Sequence, residues 1–324
     1  MPSIAASLIS FYIKWIRQSK VLLDSAEKTL KTVHDDYIRP HDFHPPTNLG
    51  SDIIITRVDV HDWPLYKLSA QITLTENQPR KALLYVHGGA FFREIVNQHW
   101  YFAAQIARET GLDVLIPIYP LLPRPGATAQ RLTVGLVDIC RLSKQPVVSI
   151  GGDSAGGMLA LLTAQQLRDT QPELFTQVCS LVLISPIVDC GLDHPEVVRL
   201  AEIDPWLGLY GLRTVTQMLA ADLPLKHPVI SPLYGDVGNL PPTLLLCGTQ
   251  DMLCADARRL KSRFTGKDID EAVAGSLDKD HFVYVEEEDM IHVWPILPHP
   301  EGARGRRFII NFINKCSERQ NQVL

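Results

Sequence analysis

The chain lacks a long apolar run. Its first hydrophobic stretch, Ile4 to Ile16, falls short of the roughly 20 residues that span a bilayer, and it carries Lys14 with Arg17 close behind. With no basic segment ahead of it, the stretch is also a poor signal peptide. Cysteine is sparse: Cys140, Cys179, Cys190, Cys247, Cys254 and Cys316 are far apart in sequence, with no C-x-x-C pair, and signal neither a zinc site nor a disulfide framework. They are expected as reduced thiols. No N-x-S/T sequon occurs, and the expected location is cytoplasmic. The 31 basic and 36 acidic residues form no block of one sign and give a net charge of −5, which argues against a nucleic-acid partner. Repeats and low-complexity tracts are missing too. What is present, 324 residues with 46% hydrophobic and 21% charged, suffices for a sizeable core and excludes disorder, collagen and coiled coil.

From Ile4 to about Leu30 apolar residues recur at three- and four-residue steps, which predicts a helical N-terminal arm. A Pro-rich linker, Arg39 to Gly50, follows. Two strand-like runs, Ile53 to Val60 and Leu65 to Leu74, predict an antiparallel hairpin. Short, fully apolar runs then alternate with helical stretches: Leu83 to Val86, Val114 to Ile118, Val147 to Ile150, Leu181 to Ile184, Leu244 to Cys247 and Val283 to Val285. Strands without a polar face are buried on both sides, so the fold class is α/β, a doubly wound and mostly parallel sheet with antiparallel N-terminal strands. One long gap, about Pro186 to Pro241, holds a helical piece near Leu209 to Ala220 and suits an inserted lid. The polar stretch Gly266 to His281 is expected as a solvated loop.

Gly151-Gly152-Asp153-Ser154-Ala155-Gly156-Gly157 lies between an apolar strand and a helical stretch, the context of a nucleophile elbow. A serine held at positive φ projects its hydroxyl above the sheet, and only glycine two residues to each side lets strand and helix pass closely. His87-Gly88-Gly89-Ala90-Phe91-Phe92 follows another apolar strand, and glycines there let backbone N–H groups face a cavity. Acyl transfer needs such donors because charge builds on the carbonyl oxygen. The N–H of Ala155, at the positive end of the following helix, supplies a second part of that hole. His87 itself is expected to brace backbone.

A serine hydroxyl needs a base, and the base an orienting carboxylate. Asp251 stands just past the strand Leu244 to Cys247, and His292 past the last strand. Other acids and histidines fit less well. Asp256 belongs in the first turn of a helix, Asp204 and Asp222 in the lid, His281 at the wrong end of the sheet and His299 in a Pro-flanked loop. The group His34, Asp35, Asp36, His41, Asp42 and His44 has no recognised ligand spacing, so neither a metal nor another cofactor is expected.

These motifs resemble the α/β-hydrolase fold in its hormone-sensitive-lipase-like carboxylesterase branch, which includes fungal steryl acetyl hydrolases. The resemblance rests on His87 to Phe91, Gly152 to Gly157, Gly248 to Asp251 and Met290-Ile291-His292-Val293-Trp294, and covers about positions 80 to 315. It implies Ser154 as nucleophile, His292 as general base, Asp251 as its partner, and Gly88, Gly89, Ala90 and Ala155 around the oxyanion hole. It also implies one hydrolase domain over 1–324, with a helical cap from 1–45 and about 187–240. Ala90 stands where the branch usually has a third glycine, and Pro120 to Pro125 lacks the Arg and Glu common in bacterial members. The expected substrate is a carboxylic ester with a small acyl group on an apolar alcohol, held by Phe91, Phe92, Trp100, Tyr119 and Trp206, with Tyr210 as a further aromatic. A non-catalytic receptor of the same fold, or an amidase, lactonase or acyltransferase using the same triad, is the alternative. For the N-terminal arm, a cap over the site is favoured above contact with a membrane.

Overall fold

The computed structural model describes residues 1–71, 80–266 and 281–323. Most of the stretch expected as a solvated loop, and the end of the second predicted strand from Ile72, lie outside the described residues.

Eight strands form one sheet: β1 (Ile53–Val60), β2 (Trp63–Ala70), β3 (Ala82–Val86), β4 (Asp113–Pro117), β5 (Val147–Asp153), β6 (Ser180–Ile184), β7 (Thr243–Gly248) and β8 (Phe282–Glu287), in the order β1-β2-β4-β3-β5-β6-β7-β8. Both antiparallel pairings involve β2, so β2 alone runs against the rest. The hairpin turn is tighter than the sequence suggests. Only His61 and Asp62 lie outside the strands, at φ 50° and 65°, the paired positive values of a two-residue turn that matches strand twist.

The crossover helices cover both faces. Along β3, Leu83 and Tyr85 enter one core with Trp100, Phe102 and Ile106 of α4 (Asn97–Thr110) and Ile309 and Ile313 of the C-terminal helix Pro300–Val323. Leu84 and Val86 enter the other, with Leu132 and Leu136 of α5 (Ala129–Leu142) and Leu159 of α6 (Ala155–Thr170). The two-residue period of a strand buried on both sides produces this division.

The N-terminal arm is not one helix. α1 (Ile4–Phe11) continues as a π-helical turn, Tyr12–Arg17, and stops where Gln18 takes φ 50°. After α2 (Ser19–Leu22), the Ser25 hydroxyl accepts from the Lys28 N–H at 3.2 Å and starts α3 (Ala26–Ile38). The arm packs on the insertion that follows β6, which holds helices Pro195–Ile203 and Leu209–Ala220. Gly211 N–H donates to the Leu23 carbonyl at 2.8 Å. The Lys20 ammonium donates to the carbonyls of Ala201 and Asp204 at 2.5 and 2.8 Å. A Cβ on Gly208 would stand 2.4 Å from the Leu23 oxygen, so only glycine permits this approach.

Candidate active site

β5 runs directly into α6, and the residue between their regular parts, Ser154, holds φ 54° and ψ −119°. A side chain at Gly152 would meet the Gly156 oxygen at 2.4 Å, and one at Gly156 would meet the Val86 oxygen at 2.0 Å. The glycines are therefore a steric requirement of the turn, whose strain aims the Ser154 hydroxyl away from the sheet.

That hydroxyl lies 2.9 Å from His292 Nε2, and His292 Nδ1 lies 2.9 Å from Asp251 Oδ2. With Nδ1 protonated, the imidazole donates to the carboxylate and accepts from the serine. Asp251 Oδ1 accepts the Leu253 N–H at 2.9 Å, and all three side chains are buried. Their loops are fastened together. Gln250 N–H donates to the Met290 carbonyl at 2.9 Å, and Asp289 N–H to the Thr249 hydroxyl at 2.8 Å. Burial alone would lower the His292 pKa. The charge and hydrogen bond of Asp251, helped by the charges of Asp204 and Asp153, outweigh it and hold the imidazole above its ordinary value.

The turn after β3 holds three positive angles in succession, Gly89 at φ 127°, Ala90 at 50° and Phe91 at 62°. Among the described residues no acceptor takes the N–H of Gly89 or Ala90, and both residues border the cavity beside Ser154. Ala155 opens α6, where the first N–H groups lack partners within the helix. Gly88 is a correction. Its N–H donates to Asp153 Oδ1 at 3.0 Å, so it is committed to the scaffold and is not a free donor. Asp153 also accepts from the Tyr85 hydroxyl at 2.6 Å and lies 3.3 Å from His99 Nε2. This buried knot joins the glycine turn to the elbow. His87 stacks on Tyr119 with ring centroids 4.5 Å apart, its Nδ1 is 2.6 Å from the Gly88 carbonyl, and burial lowers its pKa to about 4. It stays neutral and braces the turn.

A cavity of about 430 Å³ opens over Ser154 and His292. Phe92, Trp206, Leu207 and Leu212 line it, together with Ile9 and Ile13 of the arm. The Trp206 ring meets the His292 ring edge-on, with centroids 5.8 Å apart. Of the five aromatics expected to hold substrate, Phe92 and Trp206 line this cavity. The other three are corrections. Phe91 is fully enclosed in the core, Trp100 packs edge-on against Tyr66 within the core, and Tyr119 is buried against His87 with its hydroxyl donating to the His87 carbonyl at 2.7 Å. Each follows a motif in sequence, but its side chain turns to the far side of the loop or helix that carries it. Tyr210 is exposed on the surface.

Asp204, passed over in the sequence because it belongs to the insertion, is buried beside Asp251 and His292. Its Oδ1 accepts from the Trp206 and Leu207 N–H groups at 2.7 and 2.9 Å, and its Oδ2 from Met252 at 2.9 Å. Burial, reinforced by the charge of Asp251, pushes its pKa up to about 6. The D-P-W turn before the helix was its sequence signal, an Asx-type acceptor of downstream amides.

Asp256 lies in the first turn of the helix Cys254–Thr265 and pairs with Arg259 at 2.7 Å. Asp222 is exposed, and His299 accepts the Gly302 N–H at the start of the last helix. The acids and histidines between His34 and His44 meet only as pairs, Asp36 with His41 at 3.6 Å and Asp42 with His44 at 2.6 Å, and they make no group of three among the described residues. The one close trio of ligand-type side chains among them is Cys247, Cys254 and Glu286. Glu286 there is already held by Arg258 at 2.6 Å and by the Tyr284 hydroxyl at 2.6 Å, and burial raises the Cys247 thiol well above its usual range.

A family model for the α/β-hydrolase fold matches residues 83–294, and the chain belongs to that family. An esterase of Acinetobacter venetianus is 30% identical over 207 residues, 63% of this chain and 66% of its own length. An acetyl-hydrolase of Streptomyces hygroscopicus is 29% identical over 235 residues, 70% and 73% of the two chains. A triacylglycerol lipase of Mycobacterium tuberculosis is 34% identical over 176 residues, 53% of this chain and 35% of its own. This chain thus spans less than two thirds of the Acinetobacter esterase and of the mycobacterial lipase. The fold also matches the crystal structure of a putative esterase from Staphylococcus aureus, with a TM-score of 0.77 at 22% identity over 94% of this chain and 98% of that one.

Proposed function

We propose that the protein is a serine hydrolase that cleaves a carboxylic ester with a small acyl group on an apolar alcohol. The observation that carries this reading is the continuous relay Ser154–His292–Asp251, with 2.9 Å at each step, beneath an apolar cavity. His292 takes the Ser154 proton as the oxygen attacks the ester carbonyl. The N–H groups of Gly89, Ala90 and Ala155 receive the charge that forms on the carbonyl oxygen. Collapse of the tetrahedral species expels the alcohol, which takes the proton from His292, and water activated by the same imidazole then releases the acid. Asp251 fixes the tautomer and stabilises the imidazolium. Segments 1–45 and about 187–240 form the cap. Their apolar side chains in the cavity, Ile9, Ile13, Trp206 and Leu212, support an apolar alcohol, and the Ala90 methyl favours a small acyl group. The family relatives named esterase and acetyl-hydrolase support ester chemistry.

Labelling with a fluorophosphonate, followed by a p-nitrophenyl ester series from acetate to decanoate, tests it. The wild type is expected to label at Ser154 and to favour the short acyl esters, whereas Ser154→Ala neither labels nor retains more than about 10⁻⁴ of kcat. Absence of label on the wild type removes the hydrolase and leaves a receptor. Label without ester turnover moves the chemistry to an amide, a lactone or an acyl acceptor.

A further inference from the structure

α1 and the π-helical turn after it have two apolar faces. Ala6, Ile9 and Ile13 point inward, and Ile9 and Ile13 pack near Ile291, Leu297 and Trp206. Ile4, Leu8, Phe11, Trp15 and Ile16 recur at the same three- and four-residue steps on the outward side, with Tyr12 at the edge that reaches the cavity, and all six are 52% to 82% exposed. A surface helix normally carries polar residues there. Single exposed apolar residues need no explanation, but a contiguous ridge of six marks an interaction surface.

The charge around the ridge identifies its partner. The chain has a net charge of −5, yet its first 23 residues hold Lys14, Arg17 and Lys20 and no acid. Lys20 is taken up by the Ala201 and Asp204 carbonyls and Arg17 stands over the Trp206 ring at the cavity, so Lys14 is the cation beside the ridge, with Arg17 at its cavity end. Lys14 reaches over the Trp15 ring, 5.3 Å from its centroid. A local excess of cations beside aromatic and aliphatic side chains is the composition of a helix that lies in the headgroup region of an anionic bilayer. Among the described residues no helix is long and apolar enough to cross a membrane, so the helix lies on the surface. A second copy fits poorly. Pairing two such ridges across a two-fold axis sets like charges together.

We infer that the outer face of α1 and the following turn docks this protein on an anionic lipid surface, with the mouth of the cavity at that surface. Tyr12 and Arg17 belong both to this segment and to the cavity wall. An apolar molecule can therefore pass from the lipid into the cavity without crossing bulk water. The docking stands on exposure and charge alone; only the delivery of an ester rests on the proposed function.

The test is co-sedimentation of the full chain with vesicles of phosphatidylcholine and phosphatidylserine, at about three to one, against phosphatidylcholine alone. Two variants accompany the wild type: the combined Leu8→Ser, Phe11→Ser, Trp15→Ser and Ile16→Ser, and Lys14→Glu. The wild type is expected to partition onto the anionic vesicles, less so at high salt. The serine variant loses on the order of 100-fold on both compositions, and Lys14→Glu about 10-fold on the anionic one only. None of these five residues touches the cavity, so thermal unfolding and turnover of a soluble short ester stay at wild-type values. Failure of the wild type to bind vesicles, or equal binding by the serine variant, overturns the inference. So does a concentration-dependent wild-type dimer that the serine variant abolishes, since a second copy then covers the ridge. Fluorophosphonate labelling is scored on the same samples, so loss of the ester reading and loss of docking appear separately.

Discussion

The Met252 N–H donates to Asp204 Oδ2 at 2.9 Å, and this bond ties a buried carboxylate of the insertion to the residue next to Asp251. Through its other oxygen Asp204 also holds the turn that sets Trp206 against the His292 ring. The insertion and the Asp251 loop thus share one side chain. Asp204→Asn keeps an oxygen for Trp206 and Leu207 but turns an amide toward the Met252 N–H, and it removes a negative charge that raises the His292 pKa. The variant is expected to lose about 10-fold in kcat/KM, with the midpoint of its pH profile displaced downward. A residue that merely supports the fold would lower the rate without moving the midpoint, so the profile decides between the two roles.

The pH dependence has a definite sign. In the proposed mechanism His292 acts as a base only when neutral, and its pKa is held above the ordinary value of about 6.5. The rate therefore rises with pH through a midpoint above about 6.5, and Asp251→Asn moves that midpoint down while cutting kcat by about 10⁴. For stability the trend is opposite. A raised pKa in the folded state contributes stability that is full below the unfolded value and is lost as pH climbs through the folded one. The relay is most active where this contribution has gone. A wild-type midpoint at or below about 6 in kcat/KM for a soluble ester contradicts the geometry.

The mostly parallel sheet, its short apolar strands and the elbow were legible because each is local: a buried strand is apolar on both faces, and a glycine two residues from a strained serine leaves its mark in the string. The placement of Asp251 and His292 just past strand ends was legible for the same reason. Distance in sequence hid the rest. Nothing around Asp204 announces that the insertion returns to the Asp251 loop, and nothing in Gly88 shows that its N–H is taken by Asp153. The break of the arm at Gln18 depends on a left-handed residue that periodicity cannot register. Aromatics were misplaced because nearness to a motif does not fix the side of the backbone to which a ring turns.

Phe91 and Phe92 turn to different surroundings at neighbouring positions. Phe91 is enclosed in the core, whereas Phe92 lines the cavity. Phe91→Ala is expected to destabilise the protein by about 3–5 kcal/mol, read as a lower unfolding midpoint in denaturant, through the void it leaves. Phe92→Ala costs less stability and raises KM for esters of bulky alcohols more than for methyl or ethyl esters, since it removes wall from the cavity. The reverse pattern would return Phe91 to the substrate wall.

Gly156→Ala probes the requirement that creates the elbow. The added methyl would stand 2.0 Å from the Val86 oxygen and 2.5 Å from the His87 oxygen, both backbone atoms that cannot swing aside. Relief requires α6 to withdraw from β3, which displaces the Ala155 N–H from the position beside Ser154 and strains the glycine turn. The cost is on the order of 3 kcal/mol or more, by overpacking of fixed backbone, although alanine is the better helix former by about 1 kcal/mol. Intrinsic propensity and tertiary sterics thus pull in opposite directions. The steric clash outweighs the gain in propensity, so the variant is expected to lose both stability and fluorophosphonate labelling. Thermal unfolding of Gly156→Ala at or above the wild-type temperature would mean that strand and helix do not meet as closely as these contacts require.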